Sequence, residues 1–267
     1  MLREGRIASA ETVIMLMNFR FDFLILSLAT GFLGAAISGQ EPAVLPLEAE
    51  PHHHLALKNE YVKVYQVEVA PGDAVKLHRH DTDAISLSLS ESLVTVHSPG
   101  KPDAQQKLTN GQMRLQARGL VHSTSVDGDT PFRNVTVELL MPQTGERNGC
   151  AQVISNQPVN CSLGAQIGAR LGVPQFETDQ TYVGLVRVAP HERVVLGHSG
   201  RATLIVAVDA GATFFSSNGG RNAMGSGDFA WLDSGNAGQS FLNNSAAEVR
   251  LVCFGLVQAG GAPSLRK

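Results

Sequence analysis

Alternating apolar and polar residues recur along the chain in short segments separated by glycines and prolines. Val62–Val69, Ile85–Leu89 and Leu93–His97 are segments of this kind. Successive side chains of a β-strand leave opposite faces of the sheet, so a period of two residues indicates a half-buried strand. Asn110-Gly111, between two further short segments, is a hairpin signal. The 27 glycines and 12 prolines are spread evenly, and the whole pattern predicts an all-β protein.

The pattern of the first half of the chain returns in the second half. Val188–Ser199 aligns with Val69–His80 without a gap, and Gly227–Gly238 aligns with Gly111–His122. The segment between the two copies has few apolar residues, which is typical of a linker. An internal repeat of all-β units predicts two copies of one small sandwich or barrel.

Two histidines stand two residues apart in the first copy. His78 and His80 lie in a predicted strand, so they leave the same face and can point at one atom. A metal ion is the natural candidate for that atom. His122 is a third histidine of the first copy. The second copy has no histidine at the aligned positions, which are Gly197, Ser199 and Gly238. Three unrelated surface histidines would be absent together only by coincidence, so we interpret them as one site.

These residues resemble the two signature motifs of the cupin superfamily. The first motif places five residues between a glycine and His-x-His, as between Gly72 and His78-Arg-His80. The second motif runs from a glycine to a later histidine, and Gly111 and His122 keep its spacing. The two copies together resemble a bicupin with a degenerate second cupin. The resemblance implies two jelly-roll barrels in tandem and a divalent metal ion held by His78, His80 and His122 in the N-terminal barrel.

The sequence departs from the cupin motifs at the position of the expected glutamate ligand. That position falls on Ala84 or Ile85, and neither can bind a metal. The fourth ligand is left open between water and three acids, Asp81, Asp83 and Glu138. Three histidines with open coordination are typical of a catalytic metal, and imidazole suits Fe, Mn, Zn, Ni or Cu. We expect the apolar strands Ile85–Leu89 and Leu93–Val96 to line the barrel around this site.

Three further histidines, His52, His53 and His54, are adjacent in the chain. Adjacent strand residues alternate between faces, so at most His52 and His54 share one. We expect these residues to lie beside a metal site or on the surface rather than to act as ligands.

The N-terminal segment has the pattern of a secretory signal peptide. The apolar run Phe23–Ile37 follows Arg20, and Ala36-Ile37-Ser38 offers the small residues of a cleavage site after Ser38. The run is short for a membrane-spanning helix, which needs about 20 residues. We therefore predict a periplasmic or secreted protein with no stable membrane span after signal removal. A retained N-terminal membrane anchor is the alternative.

Cysteine usage agrees with export. Cys150 and Cys161 flank a loop-like stretch and could close a small disulfide ring in an oxidising compartment. Cys253 lies in an apolar strand pattern, where we expect a buried free thiol.

The predicted organisation has six parts. They are a signal peptide (1–38), a lead (39–50), an N-terminal cupin domain with the metal site (51–141), a linker with the candidate disulfide (142–164), a degenerate C-terminal cupin domain (165–260) and a tail (261–267).

Charge and composition narrow the functional classes. The net charge is −3 and lysines and arginines are scattered, which argues against a nucleic-acid partner. One hypothesis is an exported metal-dependent cupin enzyme, of dioxygenase or isomerase type, that acts on a small polar molecule. The alternative is a non-catalytic cupin that binds a small ligand. The sequence singles out no catalytic residue beyond the metal ligands, and a homodimer stays open.

Overall fold

The computed structural model describes residues 43–145, 148–149, 152–153, 173–196, 201–234 and 239–257. These residues are almost entirely β-strand, with one 3₁₀ turn at Leu47–Ala49, which confirms the prediction of an all-β protein. The predicted signal segment, Cys150 and Cys161, and the aligned positions Gly197, Ser199 and Gly238 lie outside the described residues. The boundaries of the six predicted parts and the disulfide therefore stay predictions.

The first barrel contains the strands of the first copy. They are β1 (Leu45–Pro46), β2 (His53–Lys58), β3 (Val62–Val69), β4 (Ala74–Arg79), β5 (Asp83–Ser88), β6 (Ser92–His97), β7 (Ala104–Leu108), β8 (Met113–Gln116), β9 (Val121–Val126) and β10 (Phe132–Leu139). Two short strands follow, β11 (Asn148–Gly149) and β12 (Gln152–Val153). One sheet of the first barrel has the order β1-β4-β9-β6-β7, and the other has the order β12-β8-β5-β10-β3-β2.

The second barrel repeats this arrangement. Its remaining strands are β13 (Val173–Glu177), β14 (Thr181–Val188), β15 (Arg193–Val195), β16 (Ala202–Ala207), β17 (Ala212–Phe215), β18 (Arg221–Met224), β19 (Phe229–Leu232), β20 (Ser240–Asn243) and β21 (Val249–Leu256). The larger sheet has the order β11-β13-β14-β21-β16-β19 and the smaller one β15-β20-β17-β18. Thus β11 belongs to a sheet of the second barrel, and β12 belongs to a sheet of the first barrel. Nearly all strand pairs are antiparallel, as expected for two-sheet barrels that return on themselves.

The two barrels belong to one compact unit and contain three hydrophobic cores. One core fills the first barrel around Tyr65 and Val94, and another fills the second barrel around Phe241 and Leu251. The third lies between the large sheets of the two barrels and joins residues of both copies. Its fully buried members include Val64, Ile85, Leu87, Leu204 and Phe254. Each such side chain contributes about 1.5–3 kcal/mol by leaving water, so the barrel–barrel contact is a major source of stability.

The strand β5 turns its apolar face the other way from our expectation. Ile85 and Leu87 pack against the second barrel, whereas Ser86 and Ser88 face the interior of the first. Both faces of β5 are buried, and the apolar face leaves water by packing against the second barrel. Ile85 therefore does not occupy the place of the missing glutamate. Val94 and Val96 of β6 do line the interior, as expected.

The Asn110-Gly111 segment is a turn between two sheets, and not the hairpin that the sequence indicates. β7 pairs with β6 in one sheet, and β8 pairs with β5 in the other. Gly111 has a φ of 87°, and its N–H donates to the carbonyl of Ser88. Gly111 is therefore a turn residue with a positive φ, as the sequence indicates. The flanking strands β7 and β8 do not pair with each other, because they belong to different sheets.

Cys253 is a buried free thiol, as predicted. Within the described part of the chain, no helix has the length and apolar character required to span a membrane.

Candidate metal centre

Two neighbouring strands position the three predicted ligands inside the first barrel. β4 carries His78 and pairs with β9, where His122 lies directly opposite it. His80 follows β4, and its backbone is fixed by hydrogen bonds to the turn before β9: its N–H donates to the Leu120 carbonyl and its carbonyl accepts from Gly119. The register between β4 and β9 shifts once before His78. This irregularity sets which residue faces inward, because a one-residue slip would turn the side chain outward.

The three imidazoles converge through the same ring atom. The Nε2 atoms of His78 and His80 are 3.3 Å apart, and those of His80 and His122 are 3.1 Å apart. One ligand atom of each histidine lies within 4.8 Å of the others, and all three residues are buried. Metal–nitrogen bonds of about 2.0–2.1 Å would hold tetrahedral ligand atoms about 3.3 Å from one another. The sequence-predicted trio therefore forms a cluster whose spacing fits a divalent metal ion.

Burial keeps these imidazoles neutral. It lowers the pKa of His78 to about 4 and that of His122 to about 3, and it moves the pKa of His80 well below its usual value. The mutual proximity of the rings adds to the effect at His80 and His122. Neutral imidazole has a free lone pair, which is the form that binds metals. The donor set is therefore ready for a metal at neutral pH.

A backbone carbonyl orients His78. Its Nδ1 lies 2.8 Å from the carbonyl oxygen of Lys76, so Nδ1 carries the proton and donates it. Nε2 is left with its lone pair toward His80, which is the tautomer of a metal ligand. The Nδ1 atoms of His80 and His122 have no hydrogen-bond partner among the described residues.

Glu50 and His53 form a hydrogen-bonded pair beside His78. The sequence pattern did not predict a role for Glu50. The Nδ1 atom of His53 is 2.7 Å from Glu50 Oε2, and the His53 ring packs against that of His78 with 4.8 Å between centroids. Glu50 also accepts the N–H groups of His52 and Lys76. Burial alone would raise the pKa of Glu50, but these hydrogen bonds outweigh it and lower the pKa to about 2. The carboxylate therefore ties the start of β2 to β4 beside His78.

The adjacent histidines 52–54 take three different positions, consistent with their expected place beside the site or on the surface. His53 is buried at the cavity wall, His52 is half-buried between Glu50 and Asp73, and His54 is exposed. None of them joins the three-histidine cluster.

The three acids considered as a fourth ligand have other partners. Asp81 pairs with Arg79 at the surface, and Asp83 accepts the N–H of Arg118. Glu138 is buried rather than on the strand surface, and it accepts from Tyr65 at 3.5 Å and faces the Lys63 ammonium at 3.6 Å. Burial raises its pKa. Among the described residues no acid joins the histidines in one cluster, which leaves positions for water or a ligand.

His78 and His122, together with His53, border a cavity of about 50 Å³ in the first barrel. One wall is apolar, and the other carries hydroxyl, amide and guanidinium groups. The apolar wall comprises Val75, Val94, Val96, Leu108 and Phe132. The polar wall comprises Ser86, Ser88, Gln112, Arg114, Gln116, Thr124, Asn134 and Thr136. A space of this size holds several water molecules or a small ligand.

In the second barrel, apolar side chains occupy the interior in the described part of the chain. Phe214 and Phe241 pack there with 5.1 Å between ring centroids, and Leu196, Met224 and Leu251 belong to the same core. Across the described part of the chain, the only cluster of potential metal ligands is the one in the first barrel.

Several solved structures are similar to this chain at low sequence identity. AerE from Microcystis aeruginosa matches with a TM-score of 0.51 and 10% identity, over 78% of this chain and 99% of that chain. A point mutant of salicylate 1,2-dioxygenase from Pseudoaminobacter salicylatoxidans has a TM-score of 0.49 and 10% identity, over 73% and 70% of the two chains. A cupin 2 conserved barrel domain protein from Leptotrichia buccalis has a TM-score of 0.44 and 8% identity, over 76% and 87%. No protein-family model and no curated protein matches the sequence.

A likeness at such identity concerns the fold and not the chemistry. The described residues form two tandem two-sheet barrels with the motif histidines inside the first, which is the fold that the resemblance to bicupins implies.

Proposed function

We propose that this protein is an exported cupin whose first barrel binds one divalent metal ion through His78, His80 and His122. The observation that supports this most is the meeting of three buried, neutral imidazoles, in which His80 Nε2 lies 3.3 Å from His78 Nε2 and 3.1 Å from His122 Nε2. Three protein ligands leave coordination positions open, as in catalytic rather than structural sites. The second barrel, with its packed interior, serves as a structural partner.

The proposed reaction is of dioxygenase or isomerase type on a small polar molecule. Bound Fe or Mn would supply a site for oxygen and substrate, and Zn would lower the pKa of water. The chain itself holds the His78 tautomer through the Lys76 carbonyl and orients His53 through Glu50. The apolar wall formed by residues such as Val94 and Phe132 limits water in the cavity.

Cobalt titration tests the proposed ligands. The visible absorption of Co(II) reports binding to the purified protein after chelator treatment. We expect His122→Ala to weaken binding by more than about tenfold, because one of three ligands is lost. His97→Ala is the matched control, since His97 lies on β6 at the surface, paired with Asp103. Equal affinity of both variants and the wild type would contradict the proposal.

A non-catalytic, ligand-binding cupin is the second candidate. The observation that favours it is a cavity wall without a carboxylate among the described residues, so no acidic group is placed to transfer a proton. Oxygen uptake by the Fe(II)-loaded protein, measured against a panel of small organic acids and sugars, separates the two. Substrate-dependent uptake that disappears in His122→Ala supports the enzyme. Saturable binding without turnover of any panel member supports the binding protein.

Export is the further part of the proposal, and it is supported by the signal pattern that ends at Ser38. Mass spectrometry of the protein expressed in a bacterial host should find a mature N-terminus at Gly39 in the periplasmic fraction. An intact N-terminus in the membrane fraction would support the anchored alternative.

A further inference from the structure

Arg114 is the one cationic side chain among the residues that line the metal cavity. It lies on β8 and is half-buried. Burial lowers its pKa, and no acid counters this, because Arg114 forms no ion pair with any described residue. A guanidinium nevertheless stays charged at neutral pH. The cavity therefore contains a partly desolvated positive charge without a counter-charge.

Arg250 is another half-buried arginine, and it forms an ion pair with an acid. Its Nε and Nη2 donate to the two carboxylate oxygens of Asp209 at 2.8 and 2.7 Å. Such bidentate pairs satisfy both the charge and the planar geometry of the guanidinium. Arg114 has no equivalent, although burying a charge without a partner is unfavourable.

The guanidinium of Arg114 is held in place by an amide rather than by an acid. Its Nη1 donates to the side-chain oxygen of Gln106 on β7, which belongs to the other sheet of the barrel. Its Nε is buried and has no hydrogen-bond partner among the described residues. One edge of the guanidinium is thus positioned by a neutral group while other donors remain available.

The polar wall beside Arg114 also presents donors. Asn134 Nδ2 donates to Ser86 Oγ at 3.1 Å, and Thr136 Oγ1 donates to Asn134 Oδ1 at 3.1 Å. The Ser86 hydroxyl accepts a hydrogen bond from Asn134, so its own proton is available to a ligand. The Ser88 hydroxyl is buried and has no partner among the described residues. No acid lines the cavity in the described part of the chain, so the surroundings favour an anion.

We propose that Arg114 binds the carboxylate of a small, partly apolar organic acid. The hydrocarbon part of this acid would lie against Val94, Leu108 and Phe132, and its other end would face His78 and His122. This inference names the substrate class of the proposed metal site and in that respect rests on the proposed function. The charge preference itself depends on Arg114 and not on the metal.

Paired acids and amides provide the test. Calorimetry measures the binding of benzoate and butyrate, and of benzamide and butyramide as neutral isosteres, to the full-length metal-loaded protein. We expect the wild type to bind the acids at least about tenfold more tightly than the amides. Arg114→Met should remove this preference and leave the affinity for the amides unchanged, whereas Arg114→Lys should keep part of it. Arg79→Met is the control, because Arg79 is exposed and paired with Asp81.

Metal content and thermal unfolding of each variant accompany the calorimetry. An Arg114→Met protein that folds, holds metal and still prefers acids over amides would overturn the inference. Equal binding of acids and amides by the metal-loaded wild type would overturn it as well. A charge preference in a wild type that binds no metal would support the role of Arg114 and refute the proposed metal site instead.

Discussion

Replacing Glu50 by glutamine removes the buried charge behind the metal site. Glu50 is 2% exposed and accepts N–H groups from His52, His53 and Lys76. The amide of glutamine puts a donor against these donors. Glutamine also lacks the negative charge that the surroundings stabilise.

The magnitude of the effect follows from the pKa of Glu50. Burial raises it, but the three donors lower it overall from an ordinary value of 4.5 to about 2. At about 1.4 kcal/mol per pKa unit, the folded state gains about 3 kcal/mol from the ionised carboxylate. Because the folded pKa is below the unfolded one, this stability is fully present above pH 4.5 and is lost as the pH falls toward 2.

Chemical denaturation of wild type and Glu50→Gln at two pH values measures this contribution. We expect the variant to be less stable by about 3 kcal/mol at pH 7, and by only about 2 kcal/mol at about pH 3.5, as protonation removes the wild-type advantage. Glu48→Gln is the control, because Glu48 is exposed and pairs with Lys63 at the surface, where ion pairs contribute little. A loss at Glu50 that is the same at both pH values would refute the charge argument.

Three further predictions concern the rest of the fold. Leu204→Ala, in the core between the barrels, should lower the free energy of unfolding by about 3 kcal/mol in chemical denaturation, and a loss below about 1 kcal/mol would contradict a tightly packed contact. Gly111→Ala should lower the free energy of unfolding by about 1–2 kcal/mol in the same assay, because φ is 87° and the new Cβ would lie 2.8 Å from Arg250 Nη1. An unchanged denaturation midpoint would contradict this expectation. Cys253 is fully buried, and burial raises the pKa of its thiol. Peptide mapping should therefore find Cys253 alkylated only in denaturant, and rapid labelling of the native protein would contradict its buried position.

The two-barrel fold and the histidine trio could be predicted because their signals are local or repeated. His78 and His80 are two residues apart in a strand, so their side chains lie on the same face. The repeat shows where the second copy differs from the first. His122 could be added only through the repeat and the resemblance, and not from strand periodicity, because β9 meets β4 through long-range pairing.

The orientation of β5 and the role of Glu50 could not be predicted in the same way. Alternation shows that Ile85 and Ser86 face opposite sides, but it does not say which side is the cavity when both are buried. The second barrel decides this by covering the apolar face. Glu50 is a single acid in a polar lead, and its partners at Lys76 and His53 become visible only in three dimensions.

The most direct measurement of the central claim is elemental analysis of the natively purified protein. The metal site predicts one divalent transition-metal ion per chain in the wild type and in His97→Ala, and only traces in His78→Ala and His122→Ala, with the folded state of each variant checked by circular dichroism. A wild type with only trace metal, or a His122→Ala variant that keeps its full metal content, would contradict a metal centre at the three histidines.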